Sequence, residues 1–200
     1  ERTARPGPVR MTAHDALTAL LARPDLARLL DVIDGDGEET RVVGGAVRNT
    51  LMGLPVSDVD LATTAEPPAV IARARHAGLT VIPTGLAHGT VTVLVEGRPF
   101  EVTTLRRDVD TDGRHAIVAF GRDFAEDAHR RDFTMNALSA SRDGALHDPV
   151  GGLTDLYARR VRFIGDARLR IREDYLRILR LFRFHAAYGE GPLDMAARDA

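Results

Sequence analysis

Two aspartates one residue apart, Asp58 and Asp60, follow a Gly44-Gly45 pair and Arg48 within residues 42–64 of this 200-residue chain. A strand has a side-chain period of two, so the aspartates project from one face while Val59 and Leu61 point into a core. Two neighbouring carboxylates repel unless a cation lies between them, and magnesium, a hard oxygen-seeking ion, is commonly held by one or two carboxylates together with substrate phosphates. Backbone amides at a glycine-rich turn between a strand and a helix can cradle an anion, and the arginine fork adds donors for phosphate. Taken singly, Asp-x-Asp also suits a solvated strand end, and Gly-Gly a plain turn. Their order points to a site in which the glycines and Arg48 hold a triphosphate and the aspartates hold its metal.

The elements that must position these residues follow from local pattern. Residues 41–43 read as a strand and 46–52 as a helix after the glycines. Upstream, 17–30 reads as one or two short amphipathic helices interrupted at Pro24, and 1–10 as a disordered lead-in. Glu66-Pro67-Pro68 signals a helix start and Gly78 its end. Residues 80–83, 89–95 and 100–105 alternate or are β-branched, with Glu96-Gly97-Arg98-Pro99 turning the last two into a hairpin. The polar stretch 106–123 has no period, and its aspartates lack the EF-hand pattern. Residues 173–188 contain no proline or glycine, with apolar residues at 171, 175, 178, 182 and 186 marking an expected buried face of one helix.

Composition narrows the classes. At 44% apolar the chain can bury a substantial core, and no apolar run approaches the ~20 residues of a membrane span. With zero cysteines, disulfides and thiolate metal sites are excluded and a reducing cytoplasm is permitted. Net charge is −2 and every one of the 27 basic residues is arginine. Residues 157–184 hold nine arginines against Asp166, Glu173 and Asp174, an excess that can follow an RNA backbone or a triphosphate, or simply coat a solvated helix face. No His-x-His, His-Glu-x-x-His or nucleophile elbow supports hydrolysis.

Gly-Gly-Ala-Val-Arg (44–48) followed by Ser-Asp-Val-Asp-Leu-Ala-Thr (57–63) resembles the signature of the class II tRNA nucleotidyltransferase and bacterial poly(A) polymerase family, in the polymerase-β-like nucleotidyltransferase superfamily. Three later segments match in order: Phe-Glu-Val-Thr-Thr-Leu-Arg (100–106), Arg-Arg-Asp-Phe-Thr-Met-Asn-Ala (130–137) and Glu-Asp-Tyr-Leu-Arg (173–177). The resemblance spans roughly residues 41–184. It implies an α+β fold, a small mixed sheet of about five strands flanked by helices. Residues 1–149 would form the nucleotidyltransferase head and 150–200 the start of an all-helical neck with the base-recognition helix.

The same resemblance implies two magnesium ions on Asp58 and Asp60, with Glu101 as a further candidate ligand, and CTP and ATP as substrates. It gives Arg131, Asp132 and Asn136 to the ribose, Asp174 and Arg177 to the base, and residues 106–123 to a mobile loop. Asp132 also fits a cap on the amides of Met135 or Asn136, and Asp174 with Arg177 fits an intrahelical ion pair. The implied reaction is CMP and AMP addition to tRNA 3′ ends (CCA addition). A poly(A) polymerase, a C-only or A-only enzyme, and an inactive nucleotide- or RNA-binding module are the alternatives. Asn49 departs from the aspartate usual in the family after the arginine. Family members also continue beyond residue 200, so the chain reads as a head with its first neck helix, either a fragment or a minimal version.

Overall fold

A computed structural model describes residues 12–108 and 118–200. The expected disordered lead-in and half of the expected mobile loop, residues 109–117, lie outside the described residues. Two helices come first among the described residues, α1 (Ala13–Leu21) and α2 (Pro24–Ile33). Thr12 and Asp15 form a reciprocal capping box on α1, and Pro24 starts α2 where its missing N–H costs nothing. Then come β1 (Thr40–Val43), α3 (Gly45–Leu51), β2 (Asp60–Thr63), α4 (Pro67–His76), β3 (Thr80–Gly85), β4 (Thr90–Val95), β5 (Arg98–Thr104), β6 (Arg106–Asp108) and β7 (Val118–Phe120). The chain continues through α5 (Phe124–Arg130), a 3₁₀ turn (Thr134–Asn136), β8 (Ser139–Ser141), β9 (Leu146–His147), α6 (Gly152–Tyr157), α7 (Ala167–Glu173), α8 (Leu176–Tyr188) and α9 (Met195–Arg198).

Among the described residues, seven strands rather than about five form the main sheet, in the order β3-β4-β5-β2-β1-β8-β9. The surplus comes from β8 and β9, too short to announce themselves by alternation. Every pairing is antiparallel except β2 with β5, which sets Asp60 opposite Glu101. One face packs against α1–α4: Val42, Leu61, Val91, Val93, Phe100 and Val102 share a core with Leu17, Leu26, Leu29, Val47 and Val70. The other face carries a smaller cluster, Val43, Ala62 and Leu105, against Phe124. That face is incompletely covered, which leaves the centre of the sheet, at β5, β2 and β1, open for a site. No helix among the described residues is long and apolar enough to cross a membrane.

The single helix expected over 173–188 is divided. Asp174 adopts an extended conformation (φ −156°, ψ 104°) and its Oδ1 accepts the N–H of Leu176, so α7 ends at Glu173 and α8 starts afresh. The expected buried stripe also fails beyond Ile171: Tyr175, Ile178 and Phe182 are exposed, and Leu181 and Phe184 are the residues α8 buries. Sequence period locates an apolar stripe, but this helix has a second one, and the aromatic cluster of Phe133, Phe163 and Phe184 selects it, with Phe133 4.9 Å and 5.1 Å from the other two ring centroids.

Candidate nucleotide site

The turn from β1 into α3 gives the site its wall. Gly44 has φ 64° and ψ −120°, a region open essentially to glycine alone, and a Cβ there would lie 3.0 Å from Nη1 of Arg131. Its N–H donates to the Leu138 carbonyl, tying the turn to the segment before β8. From here opens a cleft of about 630 Å³, lined by Gly44, Gly45, Arg48, Asp60, Arg130, Arg131, Asp132, Asn136, Asp174, Arg177, Arg180 and Phe184 among others. That volume falls within the ~300–1,000 Å³ typical of small-molecule sites. Five arginines against three aspartates make it a place for a polyanion.

Asp60 begins β2 and Asp58 lies in the irregular segment before it, outside the strand the sequence pattern placed it on, yet the burial alternates: both are exposed, and Val59 and Leu61 are buried. Glu101, paired across the parallel ladder, joins them. Although Asp60 is exposed at the surface, the protein packed around its carboxyl withdraws enough water to raise the pKa above its ordinary 3.8, and the charges of Glu101 and Asp58 push it further, against the pull of Arg131. A set of hard oxygen donors that destabilise one another's charge fits a divalent cation. Among the described residues the carboxylates do not close into a three-ligand cage, so substrate oxygens would complete the shell.

Arg48 lines the cleft and is at the same time engaged inside the protein. It is 6% exposed, stacks 4.0 Å over the Tyr188 ring, and donates from Nε and Nη2 to Asn49 Oδ1 (3.1 and 2.8 Å), from Nη2 to Tyr188 (2.8 Å), and from Nη1 to Asn136 Oδ1 (2.6 Å). Four of the five guanidinium N–H groups are thus used inside the protein, so Arg48 braces the cleft more than it offers a fork to phosphate. Asn49, the family departure, accepts from Arg48 without a charge, and its Nδ2 donates to the Pro55 carbonyl (2.9 Å), a bond that aspartate cannot make.

Asp132 is also more engaged than expected. Instead of capping Met135 or Asn136 amides, its Oδ1 accepts from the Phe133 N–H (2.8 Å) and Asn136 Nδ2 (3.1 Å), and its Oδ2 accepts from Nε of Arg180 (2.7 Å). Tyr188, Arg48, Asn136, Asp132 and Arg180 therefore form a chain of hydrogen bonds that leaves α8 at one end and rejoins it at the other. Arg131 is held by Asp127, whose carboxyl, despite burial, is kept low by Arg131 and Arg130.

Asp174 and Arg177 both line the cleft, although they do not share one helix, and they are joined by a backbone bond, Arg177 N–H to the Asp174 carbonyl (3.0 Å), in place of a side-chain ion pair. Arg177 instead donates to Glu173 Oε2 (2.6 Å) and the Arg170 carbonyl (2.8 Å), across the break between α7 and α8. Sequence reasoning included Arg180 only in the arginine excess of 157–184 and Arg130 only in its motif, without singling either out for the site, and it missed Phe184 as a lining residue and Tyr188 as the partner of Arg48. Residues 177, 180 and 184 lie on one stripe of α8, and continuing that spacing from Arg177 would have found two of them.

Residues 40–162 match the poly(A) polymerase head domain. The chain is 48% identical over 168 residues to the zebrafish (Danio rerio) mitochondrial CCA tRNA nucleotidyltransferase 1, covering 84% of this chain and 39% of that protein. It is 44% identical over 163 residues to the CCA-adding enzyme of Leuconostoc citreum, covering 80% and 40%. Among solved structures, the Bacillus stearothermophilus CCA-adding enzyme in complex with CTP superposes with a TM-score of 0.77 at 37% identity, over 88% of this chain and 41% of that one. The chain thus spans about two-fifths of the length of these relatives. A nucleotide-sized, arginine-rich cleft floored by a carboxylate from β2 and walled by a glycine turn accords with that match, and the chain belongs to the poly(A) polymerase head-domain family.

Proposed function

We propose that this chain carries the nucleotidyl-transfer site of a CCA-adding enzyme, which joins CMP and AMP from CTP and ATP to the 3′ end of tRNA. The cleft carries the reading: it combines a glycine turn, five arginines and Asp60 with two side chains, Asp174 and Arg177, able to read a base. The relatives named above are CCA-adding enzymes, and a tRNA nucleotidyltransferase solved with a primer tRNA and an ATP analogue superposes with a TM-score of 0.68 at 29% identity. In this reading residues 1–149 are the head and 150–200 begin the helical neck, and the cysteine-free chain works in the cytoplasm, although the vertebrate relatives bear mitochondrial names.

In the reaction the O3′ of the RNA forms a bond to the α-phosphorus, the bond from that phosphorus to pyrophosphate breaks, and the hydroxyl proton passes to solvent. Asp58 and Asp60, with Glu101 beside them, would hold two magnesium ions. When bound, these supply a lowered hydroxyl pKa and neutralise the leaving group. The Gly45 amide, on the turn that Gly44 makes possible, and the side chains of Arg130 and Arg131 hold the triphosphate. Asp174 accepts from the exocyclic amine of cytosine or adenine while Arg177 donates to the adjacent ring nitrogen, a pair that uracil and guanine do not match. A ribose 2′-hydroxyl reaching Asp132 exchanges with Arg180 at Oδ2.

The test is incorporation of each labelled ribonucleotide, with magnesium, onto tRNAs ending before the first C, after the second C and after the A, with Asp58→Ala as the blank. Ordered addition of C, C and A that then stops supports the proposal. Long A tails would reassign the chain as a poly(A) polymerase, and addition of only C or only A as a partial enzyme. CTP binding without any incorporation would refute the transferase reading.

A further inference from the structure

The two aspartates open onto different cavities. Asp60 lines the nucleotide cleft, whereas Asp58 lines a separate pocket of about 360 Å³ with Ser57, Arg23, Arg98 and Pro99. The arginines come from distant parts of the chain, Arg23 from the turn between α1 and α2 and Arg98 from the start of β5. Both donate to the same atom, Oδ2 of Asp25, at 2.8 and 3.1 Å. Two guanidinium groups converging on one oxygen are near enough to share one phosphate.

Asp25 does not require both of them. Arg23 alone binds its two oxygens, and the Leu26 N–H adds a third donor. Arg98 remains 67% exposed beside the pocket, so the trio carries a surplus positive charge facing solvent next to Asp58. Arginine fixed in place by a buried carboxylate is pre-organised, and loses less freedom on meeting an anion than a loose side chain would.

A transfer between two substrates needs a second seat. Resting on the reading of the cleft as the nucleotide site, we propose that the pocket beyond Asp58 seats the acceptor strand, with a backbone phosphate near the RNA 3′ end held by Arg98 and Arg23 and the terminal hydroxyl directed to Asp58. The nucleotide and the acceptor then reach the carboxylate pair from two separate cavities. The pocket recognises the sugar-phosphate backbone of a single-stranded end and places no demand on base identity.

The experiment measures binding of a fluorescein-labelled RNA hairpin with a single-stranded 3′ end, by anisotropy across a salt series, with CTP affinity read separately by calorimetry. Loss of one phosphate contact lowers the log–log salt slope by about 0.7 for single strands, which is about fivefold in affinity at 0.1 M salt. The expected result is that Arg98→Ala shows this loss, Arg98→Lys keeps most of the RNA affinity, and both bind CTP within twofold of the parent. Unchanged RNA affinity and slope in Arg98→Ala overturns the proposal, as does an equal loss of CTP binding, which would mean that Arg98 acts through the fold. A parent protein that fails to bind CTP overturns the nucleotide-site reading itself, which the calorimetry reports independently of the RNA arm.

Discussion

Replacing Asn136 with alanine breaks the chain of hydrogen bonds at its centre. Its Oδ1 accepts from the buried guanidinium of Arg48 at 2.6 Å, and its Nδ2 donates to Asp132 at 3.1 Å. Hydrogen bonds to charged groups contribute ~1.5–3 kcal/mol each, and a buried charge left with one partner fewer adds desolvation cost. Arg48 keeps Asn49 and Tyr188, and Asp132 keeps Arg180 and the Phe133 amide, so neither is stranded and the loss should be about 2–4 kcal/mol. For a chain of this size each kcal/mol moves the melting temperature by ~2–4 °C, which gives a fall of about 4–16 °C by calorimetry. Tyr188→Phe removes only the other end of the Arg48 network and should cost about 1 kcal/mol. Because both mutations act through one guanidinium, the double variant should depart from additivity by at least ~0.5 kcal/mol. A fall below 2 °C for Asn136→Ala, or strict additivity, would refute the claim that these side chains act as one brace for α8.

The remaining expectations concern the site. Asp60→Asn should abolish transfer while leaving the melting temperature unchanged or higher, because it removes a carboxylate opposed by burial and by Glu101 and Asp58. The sign with pH is definite: the folded-state pKa lies above 3.8, so this group's stability contribution is fully present below 3.8 and is lost as pH rises through the folded value. Asp60→Asn should therefore flatten that part of a stability-against-pH profile, and an unaltered profile would contradict the assignment. Gly44→Ala should cost ~1–3 kcal/mol from its backbone region and displace Arg131, read as a lower melting temperature together with weaker CTP binding. Arg177→Ala should blur the choice among nucleotides more than it slows CMP transfer; equal loss for all four would show that it holds α7 to α8 and does not read the base.

What local pattern conveyed was the part of the site built from consecutive residues. The alternation from Asp58 to Leu61 and the hairpin of β4 and β5 are properties of a few adjacent side chains, and their physics is nearly local. The helix break at Asp174 was not legible, because an aspartate turning its carboxylate onto the amide two residues ahead competes with the helix on nearly equal terms. Nor was the buried side of α8: its two apolar stripes differ only in what the rest of the fold sets against them. The bracing of Arg48 by Tyr188 joins residues at opposite ends of the described core, and no spacing rule connects them. Arg98 was read merely as part of a turn, since nothing in residues 96–99 shows that Asp25 waits on another helix.

The lone parallel ladder in the sheet also orders events during folding. Antiparallel β4 and β5 can pair as a local hairpin, but Asp60 and Glu101 meet only after the chain has passed through α4, β3 and β4 and come back alongside β2. Contacts of such long sequence separation are entropically expensive and tend to form late. The electrostatic conflict between those carboxylates is therefore absent from early compact states and arises only as the topology closes. A cation taken up by them binds the finished sheet alone, so it should slow unfolding while leaving the rate of folding almost untouched.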